Sequence, residues 1–213
     1  QGEGDVSPYE DQVVTTKGIV TGRSEYIYFI QDSPDPWRAI TIVDYGNSQV
    51  NVGDEVEVTG IVDEYYDLTE IIVGEFGSST ILSTNNILFD PINIDIGEEK
   101  YESMLVTISG ICEELPNEYG EWILSGNIVD DLIYGYTPIL GAEYSVNGPL
   151  WYGYGEFRVA PRSLDDINIL NDQPCEPGYI YYEDIETLYP NITIQDGGTC
   201  FKASDLQTLT DII

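Results

Sequence analysis

VGDEVEVTG, Val52–Gly60, is the stretch that decides the fold, because the chain writes it again as LGAEYSVNG, Leu140–Gly148. In the first copy Val56 and Val58 alternate with Glu55, Glu57 and Thr59. That period of two marks a strand with one face in a core and the other in water. Val56, Val58 and then Ile61 or Val62 are predicted to point inward. Gly53 in the preceding turn is free to take a positive φ, and Gly60 allows a bulge or a sharp bend.

The same alternation runs through VVTTKGIVTG, YIYFIQD, AITIVDYG and TEIIVGEF, so five strands are predicted before residue 80. The second copy follows in register. VTTKGIV (Val14–Val20) matches VTISGIC (Val106–Cys112), YFIQD answers to EWILSG, and DEYYDLTEIIV is paralleled by WYGYGEFRV. A repeat of roughly seventy to ninety residues in five strands, with glycine bends in the first and fourth, has the size of a small barrel. The second copy departs in two places: Gly141-Ala142-Glu143 replaces Gly-Asp-Glu, and Pro149 is expected to interrupt the exit of the fourth strand. In PRSLDDI after it, Ser163 and Asp166 have the spacing of a capping box for a short helix.

VTTKGIVTG, YFIQD, ITIVDYG and VNVGDEVEVTGIVDEYYDLTEI together resemble the OB-fold module of secreted bacterial proteins, often in tandem and often beside extracellular nucleases or other surface domains. The resemblance covers about residues 8–170. The expected fold is all-β: two tandem OB-like five-stranded barrels plus a C-terminal strand and short-helix tail. The expected division is an N-terminal extension at 1–12, barrels at 13–90 and 91–170, and a tail at 171–213.

Charge narrows the function. Of 213 residues, 39 are acidic and seven basic (Lys17, Arg23, Arg38, Lys100, Arg158, Arg162 and Lys202). There is no histidine, and the formal net charge is −32. Such a surface repels a polyanion and lacks the cations that displace counterions from phosphates, so nucleic acid is a disfavoured partner. Hydrophobic residues at 42% suffice for packed cores. No run of eighteen apolar residues exists, so no membrane span is predicted. The polar start at Gln1 reads as a mature end left by leader removal, or as a trimmed chain, and the expected setting is extracellular or at a cell surface.

Without histidine the chain lacks the commonest general base and transition-metal ligand, and its serines and cysteines lack their usual activator. The expectation is a protein that is not an enzyme. Asp32 with Asp35 and Asp63 with Asp67 are candidate calcium ligands, since calcium takes six to eight oxygens from flexible loops. The competing reading of each pair is a solvated face. No other cofactor is indicated. Tyr26, Tyr28 and Trp37, around the second and third strands of copy one, form a candidate shelf for a glycan or single-stranded nucleic acid. The competing reading packs these rings into the core. Cys112, inside an apolar run, is expected to be a buried thiol.

The tail carries the remaining expectations. Cys175 and Cys200 sit in Gly/Pro-rich sequence that a disulfide would tie, a constraint of about 3 kcal/mol. Tyr179, Tyr181, Leu188, Ile192 and Ile194 are too apolar to leave in water. They pack either on the chain's own second barrel or on a neighbouring subunit by strand addition. Asn191 begins a sequon for N-linked sugar, and Ser204 with Gln207 has capping-box spacing. The functional expectation is a non-catalytic structural or adhesive subunit of an extracellular assembly, self-associating into an oligomer or filament. The alternative is a ligand-binding accessory module of a secreted enzyme.

Overall fold

The computed structural model describes residues 4, 6–45, 49–75 and 77–171, together with the backbone of 179–181 and 200–202. In the first half, β1 (Val13–Arg23), β2 (Ile27–Gln31), β3 (Ala39–Val43), β4 (Glu55–Tyr65) and β5 (Leu68–Ile72) form one sheet, with β6 (Ser78–Ser83) added on β4. β1 pairs antiparallel with both β2 and β4, and β3 pairs parallel with β5. These pairings close a five-stranded mixed barrel in the order β1-β2-β3-β5-β4.

The second half repeats this arrangement strand for strand. β7 (Ile92–Asn93) flanks β8 (Leu105–Glu114), which is followed by β9 (Trp122–Leu124), β10 (Asn127–Val129), β11 (Glu143–Gly153) and β12 (Glu156–Val159). β8 pairs with β9 and β11, β10 lies parallel to β12, and β13 (Ile167–Asn171) is added on β11 as β6 is on β4. The chain is therefore all-β, with two closed five-stranded mixed barrels.

The opening phrase behaves as its pattern predicts. Val56, Val58 and Val62 are buried while Ile61 is exposed, and Gly53 takes φ 87°. Gly60 is required by close approach, since a Cβ there would lie 2.5 Å from the Ile72 carbonyl oxygen. Its twin Gly148 is held in the same way against the Ala160 carbonyl.

Pro149 does not interrupt its strand. β11 pairs with β8 up to Pro149 and with β12 from Leu150 onward, so the missing N–H falls where the strand changes partners. Ser163 caps a single 3-10 turn, Leu164–Asp166, by accepting from the Asp165 N–H. The Asp166 carboxylate reaches back to the Arg162 N–H and guanidinium rather than completing the box on Ser163.

Each barrel has its own apolar centre. Val20, Tyr28, Ile42, Val56 and Ile71 fill the first; Val106, Ile108, Trp122, Leu124 and Tyr144 fill the second. Cys112 is buried in the second, and burial pushes its thiol up to about 11. Ala39 of β3 packs into the second centre, so the barrels share a seam. Gly22 of β1 meets the Pro149 ring there, and the Arg162 Nη1 donates to the Thr21 carbonyl at 3.1 Å. In the tail, β14 (Tyr179–Tyr181) and β15 (Cys200–Lys202) pair antiparallel. Cys175, Leu188, Asn191, Ile192, Ile194, Ser204 and Gln207 lie outside the described residues, as do the expectations resting on them.

Candidate functional site

In barrels of this type the outer face of the second and third strands, with the hairpin joining the fourth and fifth, is the usual binding surface. The two copies present this face on matching cross-strand rows. In the first barrel Phe29, Thr41, Glu70 and Asp63 lie opposite one another in turn across β2, β3, β5 and β4. In the second the row is Ile123, Ile128, Arg158 and Trp151 across β9, β10, β12 and β11.

The first face is covered by the segment that leads into β8. This segment comprises a 3-10 turn, Glu99–Tyr101, followed by Glu102, Ser103 and Met104. The Leu105 N–H donates to Gln31 Oε1 at 3.0 Å, and the Thr41 and Ser103 hydroxyls are 2.8 Å apart. The Thr69 N–H donates to Glu102 Oε1 at 3.3 Å, and the Trp37 N–H to the Lys100 carbonyl at 2.8 Å. Phe29, Gln31, Thr41, Thr69 and Glu70 are all buried.

The seam is acidic and buried. Burial first, and then the charge of Glu99, push the Glu102 carboxyl up to about 9. Burial together with Asp63 and Glu64 pushes Glu70 up to about 7. Both carry a proton over part of the range in which ordinary carboxyls are ionised.

Among the described residues no segment covers the second face as residues 99–105 cover the first. At its hairpin end a cleft of about 570 Å³ is lined by Tyr119, Glu121, Asp130, Asp131, Trp151, Tyr154 and Arg158. That volume is in the range of small-ligand sites. Tyr154 and Gly155, both at positive φ, form the tight turn that brings the hairpin over the face.

Arg158 anchors the site and is itself buried. Its Nε donates to Glu121 Oε1 at 2.8 Å and lies 3.5 Å from Asp130 Oδ2. Its Nη1 donates to the Glu156 carbonyl at 2.8 Å and also to the Gly153 carbonyl. The guanidinium carbon sits 5.6 Å from the Trp151 ring centre and 5.4 Å from that of Tyr154. The buried Trp151 Nε1–H has no hydrogen-bond partner among the described residues.

Asp130 is raised to about 6. Burial and the Glu121 and Asp131 charges push it up, against the Leu132 N–H and Arg158, which pull it down. Chemically the cleft offers aromatic faces, one guanidinium and a surplus of carboxylate oxygens.

No protein-family model matches this chain. Over 191 aligned positions it is 25% identical to "Endonuclease YhcR" of Bacillus subtilis (strain 168). The match spans 78% of this chain and 16% of that protein's length. A solved structure described as "Structural mimicry for functional antagonism" superposes on 75% of this chain and 92% of its own, at 10% identity and a TM-score of 0.33. A likeness that loose says nothing further about this chain.

The residues singled out from the sequence fall elsewhere. Tyr28 is in the core of the first barrel with its hydroxyl 2.6 Å from Ser79 Oγ, so it presents no ring face to a ligand. Tyr26 is exposed, and Trp37 lines a pocket of only about 150 Å³ with Lys17, Asp32 and Arg38.

Among the described residues no group of three or more His, Cys, Asp or Glu is placed to hold a metal ion. Asp32 pairs with Arg38 at 2.8 Å, Asp35 accepts from Ser33, and Asp67 sits at positive φ in the β4–β5 turn with Asp63 on the strand behind it. No helix among these residues is long and apolar enough to cross a membrane.

Sequence reasoning missed Arg158, Tyr119 and Glu121. The available signal was the alignment of DEYYDLTEIIV with WYGYGEFRV, which sets Arg158 on Glu70 and Trp151 on Asp63.

Proposed function

We propose that this chain is a non-catalytic binding module of a larger protein. Its barrels are held as one body, and the open outer face of the second engages a ligand or partner. One observation carries the reading: of two equivalent faces, one is covered by residues 99–105 and the other holds a ligand-sized cleft walled by Trp151, Tyr154 and Arg158. Similarity to a short stretch of a much longer endonuclease supports a place beside other domains in a protein of that kind.

The carboxylates around Arg158 are engaged in ion pairs and backbone contacts, which suits binding better than acid–base work. Glu121, Asp130 and Asp131 outnumber Arg158, so the cleft favours groups without several phosphates.

Tryptophan fluorescence of the chain, titrated with oligosaccharides and with short oligonucleotides at low ionic strength, tests the reading. Saturable quenching that Trp151→Ala abolishes, with circular dichroism unchanged, is the expected result. A wild-type chain that responds to no ligand and associates with no protein partner would remove it.

A further inference from the structure

The segment that plugs the first face has a twin that no described residue covers. Tyr101-Glu102-Ser103-Met104-Leu105 leads into β8 as Tyr9-Glu10-Asp11-Gln12-Val13 leads into β1. Their backbones agree in detail. Ser103 has φ 65° and Asp11 φ 62°. The Met104 N–H donates to the Tyr101 carbonyl as the Gln12 N–H does to that of Tyr9. The Ser103 N–H donates to Leu150, and the Asp11 N–H to Val62, which is the matching residue of the fourth strand. In each copy that fourth-strand residue donates back, Leu150 to Met104 and Val62 to Gln12.

Only their surroundings differ. Glu102 and Met104 are 0% exposed, whereas Tyr9 is 51% and Val13 66% exposed. Among the described residues there is thus a preformed plug that nothing covers and a second-barrel face that nothing covers.

We propose that residues 8–13 of one copy dock on the outer face of the second barrel of another copy, as residues 99–105 dock on the first barrel within the chain. The proposal rests on the reading that this open face is the binding surface, and it names the occupant. Continuity with the internal seam argues for a second copy, because the plug is already folded in the docking conformation and loses little entropy on binding.

The rows argue the same way. At the seam an acidic plug already sits over an acidic row: Glu102 has Glu64 and Glu99 near it, and the row beneath holds Glu70 and Asp63. In the matching row of the second barrel those two carboxylates give way to Arg158 and Trp151, and the nearby Glu121 and Asp130 are already paired with Arg158, so a plug bringing Glu10 and Asp11 meets less like charge in that row than the internal plug does. Ile123 and Ile128, each only half-buried, supply apolar ground where Phe29 and Thr41 lie at the seam. Plug and face are different surfaces, so the contact is heterologous. It adds copies end to end rather than closing on itself.

Sedimentation of the full chain across a concentration series tests this. The expected result is a mass that rises with concentration. Val13→Asp breaks the plug and Ile128→Lys the face, and each should weaken self-association by about tenfold or more while circular dichroism stays unchanged.

Mixing the two variants should restore a 1:1 pair that does not grow, because one keeps its face and the other its plug. A chain monomeric at every concentration, or an association that neither substitution alters, overturns the proposal. If that monomer still shows saturable quenching with an oligosaccharide or oligonucleotide, the binding-face reading stands and only the second copy is removed as occupant.

Discussion

The outer faces of the two barrels are built on the same strand order and matching cross-strand rows, yet among the described residues one is a buried interface and the other an open cleft. Phe29, Thr41 and Glu70 are buried, with Ser103 seated on Thr41, while Ile123 and Ile128 are only half-buried and Tyr154 stands out at the hairpin tip. Duplicated folds need not be duplicated sites. The covering segment precedes its own barrel in sequence and lands on the barrel before it. Among the described residues the plug of the first copy and the face of the second are left without such a partner.

The sharpest way to break this comparison is to place a charge at the same position of both plugs. Met104→Asp puts a carboxylate into the second core and should cost about 4 kcal/mol or more. Gln12→Asp, at the exposed equivalent, should stay within about 0.5 kcal/mol. Urea unfolding midpoints measure both. Equal effects would mean that the two plugs do not differ in burial.

Removing Arg158 is next in size. Arg158→Met leaves Glu121 and Asp130 facing each other without the cation between them, and should cost about 3 kcal/mol in the same measurement. A loss below about 1 kcal/mol would mean the ion pairs are solvated and the cleft floor is not fixed.

The seam adds a pH signature of opposite sense to ordinary acid unfolding. Glu102, held near 9 in the folded chain, keeps a proton that the unfolded chain releases near the usual 4.3. Its contribution is most favourable below the unfolded value and is lost as pH climbs through the interval up to about 9. Relief of the −32 charge acts in the same direction, so a variant is needed to separate them. Glu102→Gln can still accept from the Thr69 N–H. It should raise stability by about 2 kcal/mol at pH 8 and flatten the fall between pH 5 and 8. A variant with the same slope as the wild type would place the pH dependence in the surface charge instead.

Much of this architecture was legible in the sequence because a half-buried strand must alternate. Val56, Val58 and the echo at Tyr144 and Val146 gave the barrels, and Gly60 with Gly148 gave the bends. The site was less legible. Whether Tyr28 faces core or solvent depends on strand register, which alternation leaves open by one residue. The plug was hidden for another reason. Tyr9-Glu10 and Tyr101-Glu102 are nearly the same words, yet Glu10 is exposed while Glu102 is buried against Thr69 of the first barrel. Burial here comes from a tertiary contact, and no local pattern records it.

The smallest expected effect is the most direct comparison of the two faces, since Glu70 and Arg158 occupy one position in sister strands. Glu70 lies buried opposite Asp63 with Glu64 nearby, all of one sign, and is raised to about 7. Between about pH 4.3 and 7 the folded chain holds its proton and the unfolded chain does not, so ionising it above 7 works against folding. Glu70→Gln should therefore stabilise the protein by about 1 kcal/mol at pH 8 and leave it nearly unchanged at pH 4. Arg158→Gln at the same place in the second barrel should destabilise at pH 8, because it strands Glu121 and Asp130. One substitution type with opposite signs at paired positions is what a covered acidic face and an open, cation-anchored face require. If both variants moved the midpoint in the same direction, the two faces would share one electrostatic environment, and the contrast on which the binding surface rests would be gone.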